Sequence, residues 1–162
     1  MTLKSSGILL FRFRDERLQV MLAHPGGPFW MKKDDGAWSI PKGLFEDPES
    51  PLDAARREFK EETGFEINGK FISLGNLRQR SRKEIYAWAI EGDLDQTRIV
   101  SNKFMLEWPK KSGIINEYPE IDKANWFDID QAMKKIQEGQ VDFINRLVKI
   151  VVPKNDQSLN HL

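Results

Sequence analysis

The chain predicts a single mixed α/β or α+β sandwich, and three observations carry that prediction. Segments rich in β-forming residues are interspersed with helical patterns along the sequence. A helix with a complete set of end signals sits in the middle. The 162 residues are 40% hydrophobic and 31% charged, the balance of an ordinary folded domain rather than a disordered chain. No repeat, low-complexity block or Gly/Ser/Pro linker divides the sequence. Residues 1–153 are therefore expected to form one domain, and 154–162, which are polar, a flexible tail.

Ser6 to Phe13 and Leu18 to His24 are rich in β-formers and flank the charged segment Arg14-Asp15-Glu16, which predicts a hairpin. Ser50 is a good N-cap, Pro51 suits the first helical position and Asp53 favours the first turn. Gly64 then stops the helix, so it is predicted over Pro51 to Thr63. Phe71 to Leu74, Ile85 to Ile90 and the short Trp126 to Ile129 read as further strands. Apolar residues at helical spacing predict helices at Ile129 to Gln137 and Val141 to Val151. Gly139 separates these two helices, and Pro153 ends the second.

Composition also narrows function. Lys plus Arg and Asp plus Glu each total 25, and a net charge of zero argues against gripping nucleic acid or anionic membrane through bulk charge. The absence of cysteine excludes disulfides, thiolate zinc sites and a cysteine nucleophile. The N-terminal apolar run stops at Phe11 against Arg12, too short for a signal-peptide core. Nowhere is there an 18-residue apolar stretch, so no membrane partner is expected and a soluble, cytoplasmic protein is.

The central helix carries the strongest chemical signal. At about 100° per residue, Leu52, Ala55 and Phe59 share one stripe suited to packing on a sheet, while Asp53, Arg56 and Lys60 lie on the opposite side. Glu58, Glu61 and Glu62 fall at i, i+3 and i+4 on a third face. Like charges at that spacing repel by about 0.2–0.5 kcal/mol per pair on an exposed helix. Arg57 flanks them and can orient one carboxylate, leaving the group net negative. From Gly43 to Phe65 seven acidic side chains stand against three basic ones. A solvated acidic face is the plain explanation; hard divalent cations, which prefer carboxylate and carbonyl oxygens, are the chemical one.

The full string from Gly43 through Glu49, Arg57-Glu58-Phe59 and Glu61-Glu62 to Gly64-Phe65 resembles the Nudix box, G-x5-E-x7-R-E-U-x-E-E-x-G-U with U bulky and apolar. All nine constrained positions are filled at the required spacing. The lead-in Ala37 to Lys42 is similar to the family's usual approach. Pro25-Gly26-Gly27 and Tyr118-Pro119-Glu120-Ile121-Asp122, followed by Trp126-Phe127, resemble a bacterial subgroup placed loosely near the dinucleoside-polyphosphate hydrolases. The resemblance implies an αβα sandwich with a mixed central sheet and the box folded as loop–helix–loop. It also implies Mg²⁺- or Mn²⁺-dependent hydrolysis, with one to three ions, of a nucleoside diphosphate linked to another moiety. By motif position, Glu58, Glu61 and Glu62 are the expected metal-binding carboxylates, the Gly43 carbonyl an extra ligand and Arg57 the residue orienting Glu58. Glu49 and Gly64 are expected to be structural. Members of the family differ in their general base. Glu120 is the expected later-loop carboxylate, as ligand or base, with Glu117 its competitor and Glu58 the candidate inside the box.

Weaker signals surround these. Between His24 and Trp38 lies a long connection in which Phe29 and Trp30 can stack on a base and Lys32 or Lys33 can meet phosphate; packing under the loop is the alternative. Lys42, beside the box glycine, can also reach phosphate. If extended, Arg78, Arg80 and Arg82 before Lys83 share a face suited to a polyphosphate or an RNA 5′ end, or merely discourage strand pairing. Tyr86 and Trp88 share one strand face, expected to be core. His24 and His161 lack metal-ligand spacing. Trp108-Pro109 and Lys110-Lys111 border another loop that can contribute to substrate selection. The expected substrate is a small nucleotide, first a dinucleoside polyphosphate or a nucleoside triphosphate. The rivals are a non-catalytic nucleotide sensor and an RNA 5′-end pyrophosphohydrolase; a homodimer rests on analogy.

Overall fold

The structure is a computed structural model and describes residues 2–152; the tail, Pro153 and His161 lie outside the described residues. Strands β1 (Leu3–Arg14) and β2 (Arg17–Pro25) form the predicted hairpin, turning through Asp15 and Glu16 at positive φ. β3 (Lys42–Phe45) leads into α1 (Pro51–Thr63). β4 (Ile72–Gln79) and β5 (Lys83–Glu91) follow, then β6 (Lys103–Glu107) and β7 (Ile115–Pro119). β8 (Ile121–Asp128), α2 (Ile129–Lys135) and α3 (Val141–Val151) close the fold.

The main sheet runs β4-β5-β1-β2-β8, with β3 joined to β1. β1 organises it. One edge pairs in parallel with β5 from Leu3↔Lys83 to Phe11↔Glu91. The other edge is shared end to end: Lys4 to Gly7 pair with β3, and Phe11 to Arg14 with β2. Alternation along the strands sends Leu9, Phe11, Ala87 and Ala89 to one face, where they meet Ala132, Phe143, Ile144 and Leu147 of α2 and α3. Ile8, Leu10 and Ile90 point the other way and meet Ala55 and Phe59 of α1. Helices on both faces of a mixed sheet make the expected αβα sandwich.

The helix α1 has the predicted bounds. Ser50 Oγ accepts from the Asp53 N–H at 3.2 Å, and Gly64 sits in the left-handed region at φ 79° with its N–H on the Lys60 carbonyl. Three expectations need correction. α2 ends at Lys135 rather than Gln137, because Ile136 pairs in parallel with Trp38 and the Gln137 N–H donates to the Trp38 carbonyl. β3, β6 and β7 were not anticipated as strands, being short and poor in alternation. The basic run is not extended: β4 ends at Gln79, residues 80–82 form a 3₁₀ turn and Arg82 is left-handed at φ 58°. Arg78, Arg80 and Arg82 therefore do not share a strand face.

Candidate active site

The site gathers where β3 runs into α1. At Gly43 the backbone passes so close to α1 that a Cβ would collide with the Glu58 carboxylate. Glycine is required there by space, not by conformation. Arg57 holds the neighbourhood in place. Its Nε and Nη2 donate to the two oxygens of Glu49 at 2.8 and 2.9 Å, a bidentate pair, while Nη1 donates to Glu58 Oε1 at 2.8 Å. Longer bonds reach Glu61 at 3.3 Å and the Leu44 carbonyl at 3.3 Å. One guanidinium thus ties the loop before α1 to two carboxylates of the helix face, and its ionised form is favoured first by Glu49 and then by Glu58.

Glu62 lies deeper, 8% exposed. Burial pushes its carboxyl up to about 9, Glu58 and Glu120 add to the rise, and Lys42 opposes it. Glu58 is also raised, by burial first, with Arg57 pulling the other way. Lys42 keeps part of its surface open, yet burial of its ammonium dominates and lowers its pKa against the attraction of Glu62, Glu58 and Glu120. These mutual influences place Lys42, Glu58, Glu62 and Glu120 in one electrostatic neighbourhood.

Glu120 reaches this neighbourhood from between β7 and β8, and two backbone hydrogen bonds seat it. Its N–H donates to the Asn102 carbonyl at 2.9 Å, and its carbonyl accepts from the Gly26 N–H at 2.9 Å. The Asn102 N–H in turn donates to the Glu61 carbonyl, and that of Val100 to Thr63, both at 2.8 Å. Ser101 Oγ accepts from the Ile121 N–H at 3.0 Å. Residues 100–102 therefore strap the C-terminal end of α1 to the segment carrying Glu120. Nothing in the sequence singled out Ser101 or Asn102, because their work is backbone geometry.

Other candidates sit elsewhere. Glu117 is on β7 beside Lys103 at 3.7 Å, and it is not among the charges acting on Glu58 or Glu62. Trp30 packs against the core cluster beneath α2 and α3, edge-on to Phe29 at 5.1 Å with Lys33 over the Phe29 ring. Arg78 lies across from Glu84 on β5, and Arg80 is in the turn. Tyr86 and Trp88 stack at 6.5 Å on the α1 face of the sheet, half-buried rather than fully core. His24, 1% exposed, ties the long connection down: Nε2 donates to the Lys33 carbonyl at 2.6 Å and Nδ1 meets Asp122 at 2.9 Å.

Among the described residues, no three acidic side chains as arranged converge tightly enough to clasp one ion. The donor set nonetheless fits a hard divalent cation. Glu58 and Glu62 are carboxylates whose charged forms are disfavoured first by burial, that of Glu62 also by Glu58 and Glu120 and that of Glu58 by Glu61 and Glu120, and Glu58 rests against the Gly43 backbone.

A mixed sheet between helices, with helix carboxylates clustered beside a glycine-opened strand end, is the arrangement that the resemblance of residues 43–65 implies. The sequence matches the NUDIX domain over residues 1–147, and the chain belongs to that family, a Nudix hydrolase acting on pyrophosphate bonds. Solved structures agree on the fold. Caenorhabditis elegans Ap4A hydrolase superposes with a TM-score of 0.62 at 15% identity, covering 93% of this chain and 98% of its own. The NUDIX domain of Shewanella oneidensis NrtR, complexed with ADP ribose, gives 0.64 at 15% identity, covering 94% and 90%. A MutT/nudix family protein from Enterococcus faecalis gives 0.62 at 16% identity, covering 99% and 68%.

Proposed function

We propose that the chain hydrolyses a pyrophosphate bond in a nucleoside diphosphate joined to another moiety, with a dinucleoside polyphosphate or a nucleoside triphosphate as first substrate. The convergence of Glu120 with Lys42, Glu58 and Glu62 is the observation that carries the reading. Ap4A hydrolase and the ADP-ribose complex among the structural neighbours support a nucleotide joined through phosphates.

Residues 1–153 act as one catalytic domain. Glu58, Glu61, Glu62 and Glu120, with the Gly43 carbonyl, would hold Mg²⁺ or Mn²⁺. Such ions, when bound, neutralise pyrophosphate charge and lower the pKa of water. The protein's own groups do the rest. Arg57 holds the Glu58 carboxylate in place against Gly43 through its bond to Oε1. Lys42 supplies positive charge beside the carboxylates, placed to meet a phosphate oxygen. Glu120 or Glu58 accepts the proton of the attacking water. Arg78, Arg80 and Trp30 are kept as outer contacts for the leaving half.

The test is release of phosphate and nucleotide from dinucleoside polyphosphates, nucleoside triphosphates, nucleotide sugars and a 5′-triphosphate RNA, each with Mg²⁺, Mn²⁺ and chelator. Metal-dependent turnover of one class supports the reading and names the substrate. Nucleotide binding without turnover of any of them overturns it in favour of a sensor.

A further inference from the structure

β6 and β7 form a two-stranded ribbon of their own, outside the main sheet. Isolated two-stranded ribbons are at best marginal in water. This one rests its inner face on the long connection, with Phe104 close to Gly27, and leaves its outer face open. On that face Met105 is 62% exposed and Ile115 59%. Among the described residues, no other strand pairs with either edge.

The two edges differ. The bonds from the Trp108 N–H to the Ile114 carbonyl and from the Glu120 N–H to the Asn102 carbonyl set the phase of the ribbon. Asn102, Phe104, Leu106 and Trp108 bond inward, so Lys103, Met105 and Glu107 turn their N–H and C=O groups outward. On β7 the outward residues are Ile115, Glu117 and Pro119. A two-fold through β7 would set Glu117 against its own copy and offer Pro119 without an N–H. A two-fold through β6 has the opposite character. Centred on Met105, antiparallel pairing of Lys103-Phe104-Met105-Leu106-Glu107 with itself places Lys103 across from Glu107 of the second copy, twice. It also sets Met105 against Met105. Glu107 is already ordered for this, since its two oxygens accept from the Lys111 and Gly113 N–H groups at 3.1 and 3.2 Å and retain free lone pairs. Its partner Lys103 makes only a loose 3.7 Å contact with Glu117.

We infer that β6 is a self-complementary docking edge whose partner is a second copy of this chain, paired antiparallel about Met105 into a four-stranded β7-β6-β6-β7 sheet. Like charges directly opposite disfavour a strand pair, and a closed two-fold applies every charge change twice. Lys103→Glu alone and Glu107→Lys alone each create two like-charge pairs, and each weakens self-association by about tenfold or more. Mixing the two variants restores both attractive pairs, so the mixture dimerises more tightly than either variant alone.

The experiment is sedimentation equilibrium of the full chain, of each variant and of their mixture. It is joined by oxidative cross-linking of Met105→Cys, in a protein with no cysteine of its own. The facing Cα atoms of such a pair stand about 5.5 Å apart, within disulfide range. Leu44→Cys, exposed on β3 and outside the ribbon, is the control. Dimerisation rescued by mixing, with Met105→Cys cross-linking far faster than Leu44→Cys, supports the proposal. A monomer at all concentrations, or a dimer indifferent to both charge changes, overturns it. Should Glu107→Lys unfold the ribbon tip, the proposal still falls if Met105→Cys cross-links no faster than Leu44→Cys.

Discussion

Glu62 concentrates the electrostatic cost of the site in one side chain. Folding raises its pKa from 4.5 to about 9, so between those values the folded state holds a proton that the unfolded chain has released. Stability from this group is complete below pH 4.5 and is lost as pH rises toward 9. The melting temperature of chelator-treated protein should therefore fall from pH 5 to pH 9, with Glu58, also raised, contributing in the same sense. Glu62→Gln should flatten that slope, and added Mg²⁺ should raise the melting temperature more at pH 8 than at pH 5; equal shifts would count against these carboxylates as the ion's holders. Glu58→Gln keeps the size of the side chain and its contact with Arg57 while removing the charge. Turnover should fall by about 10²–10⁴-fold with circular dichroism unchanged. Retained turnover would move the proton acceptor to Glu120.

At the scale of the element, α1 serves as both core and site. Phe59 is fully buried between helix and sheet, and Phe59→Ala should cost about 3–5 kcal/mol in denaturant unfolding. Arg57→Ala should cost less, about 1–2 kcal/mol, because the guanidinium is partly open to solvent. Its larger effect should be on kcat, since Glu49 and Glu58 lose their common anchor. Arg57→Lys should restore little, a lysine having no planar fork for Glu49. α1 was legible from residue order because its signals are local: Ser50, Pro51, Gly64 and the spacing of the glutamates each act within a turn or two. β3 was not, because Lys42 to Phe45 becomes a strand only by lying against Lys4 to Gly7, some 40 positions earlier in the chain. The same holds for the site. The box residues could be read from spacing, whereas the arrival of Glu120, the burial of Lys42 and the separation of Glu117 depend on chain segments that meet only in the fold.

Across the whole molecule, the placement of Glu120 relative to α1 depends on residues 100–102. Ser101→Ala would leave the Ile121 N–H without its partner, a loss of about 1 kcal/mol in stability. If the strap positions Glu120, kcat should fall while KM for the nucleotide changes little; an equal rise in KM would assign Ser101 to binding instead. The strap also closes the ribbon at its root, where the Glu120 N–H meets the Asn102 carbonyl before the chain sets out along β6 and after it returns along β7. A loop pinned at its base can change length at little entropic expense, since closure depends only logarithmically on the residues enclosed. The stretch from Trp108 to Ile114 is thus an exchangeable cassette. Extensions grafted there would alter what the ribbon presents to the surroundings while the acidic neighbourhood at its foot keeps its spacing, so new recognition can be acquired without rebuilding the catalytic centre.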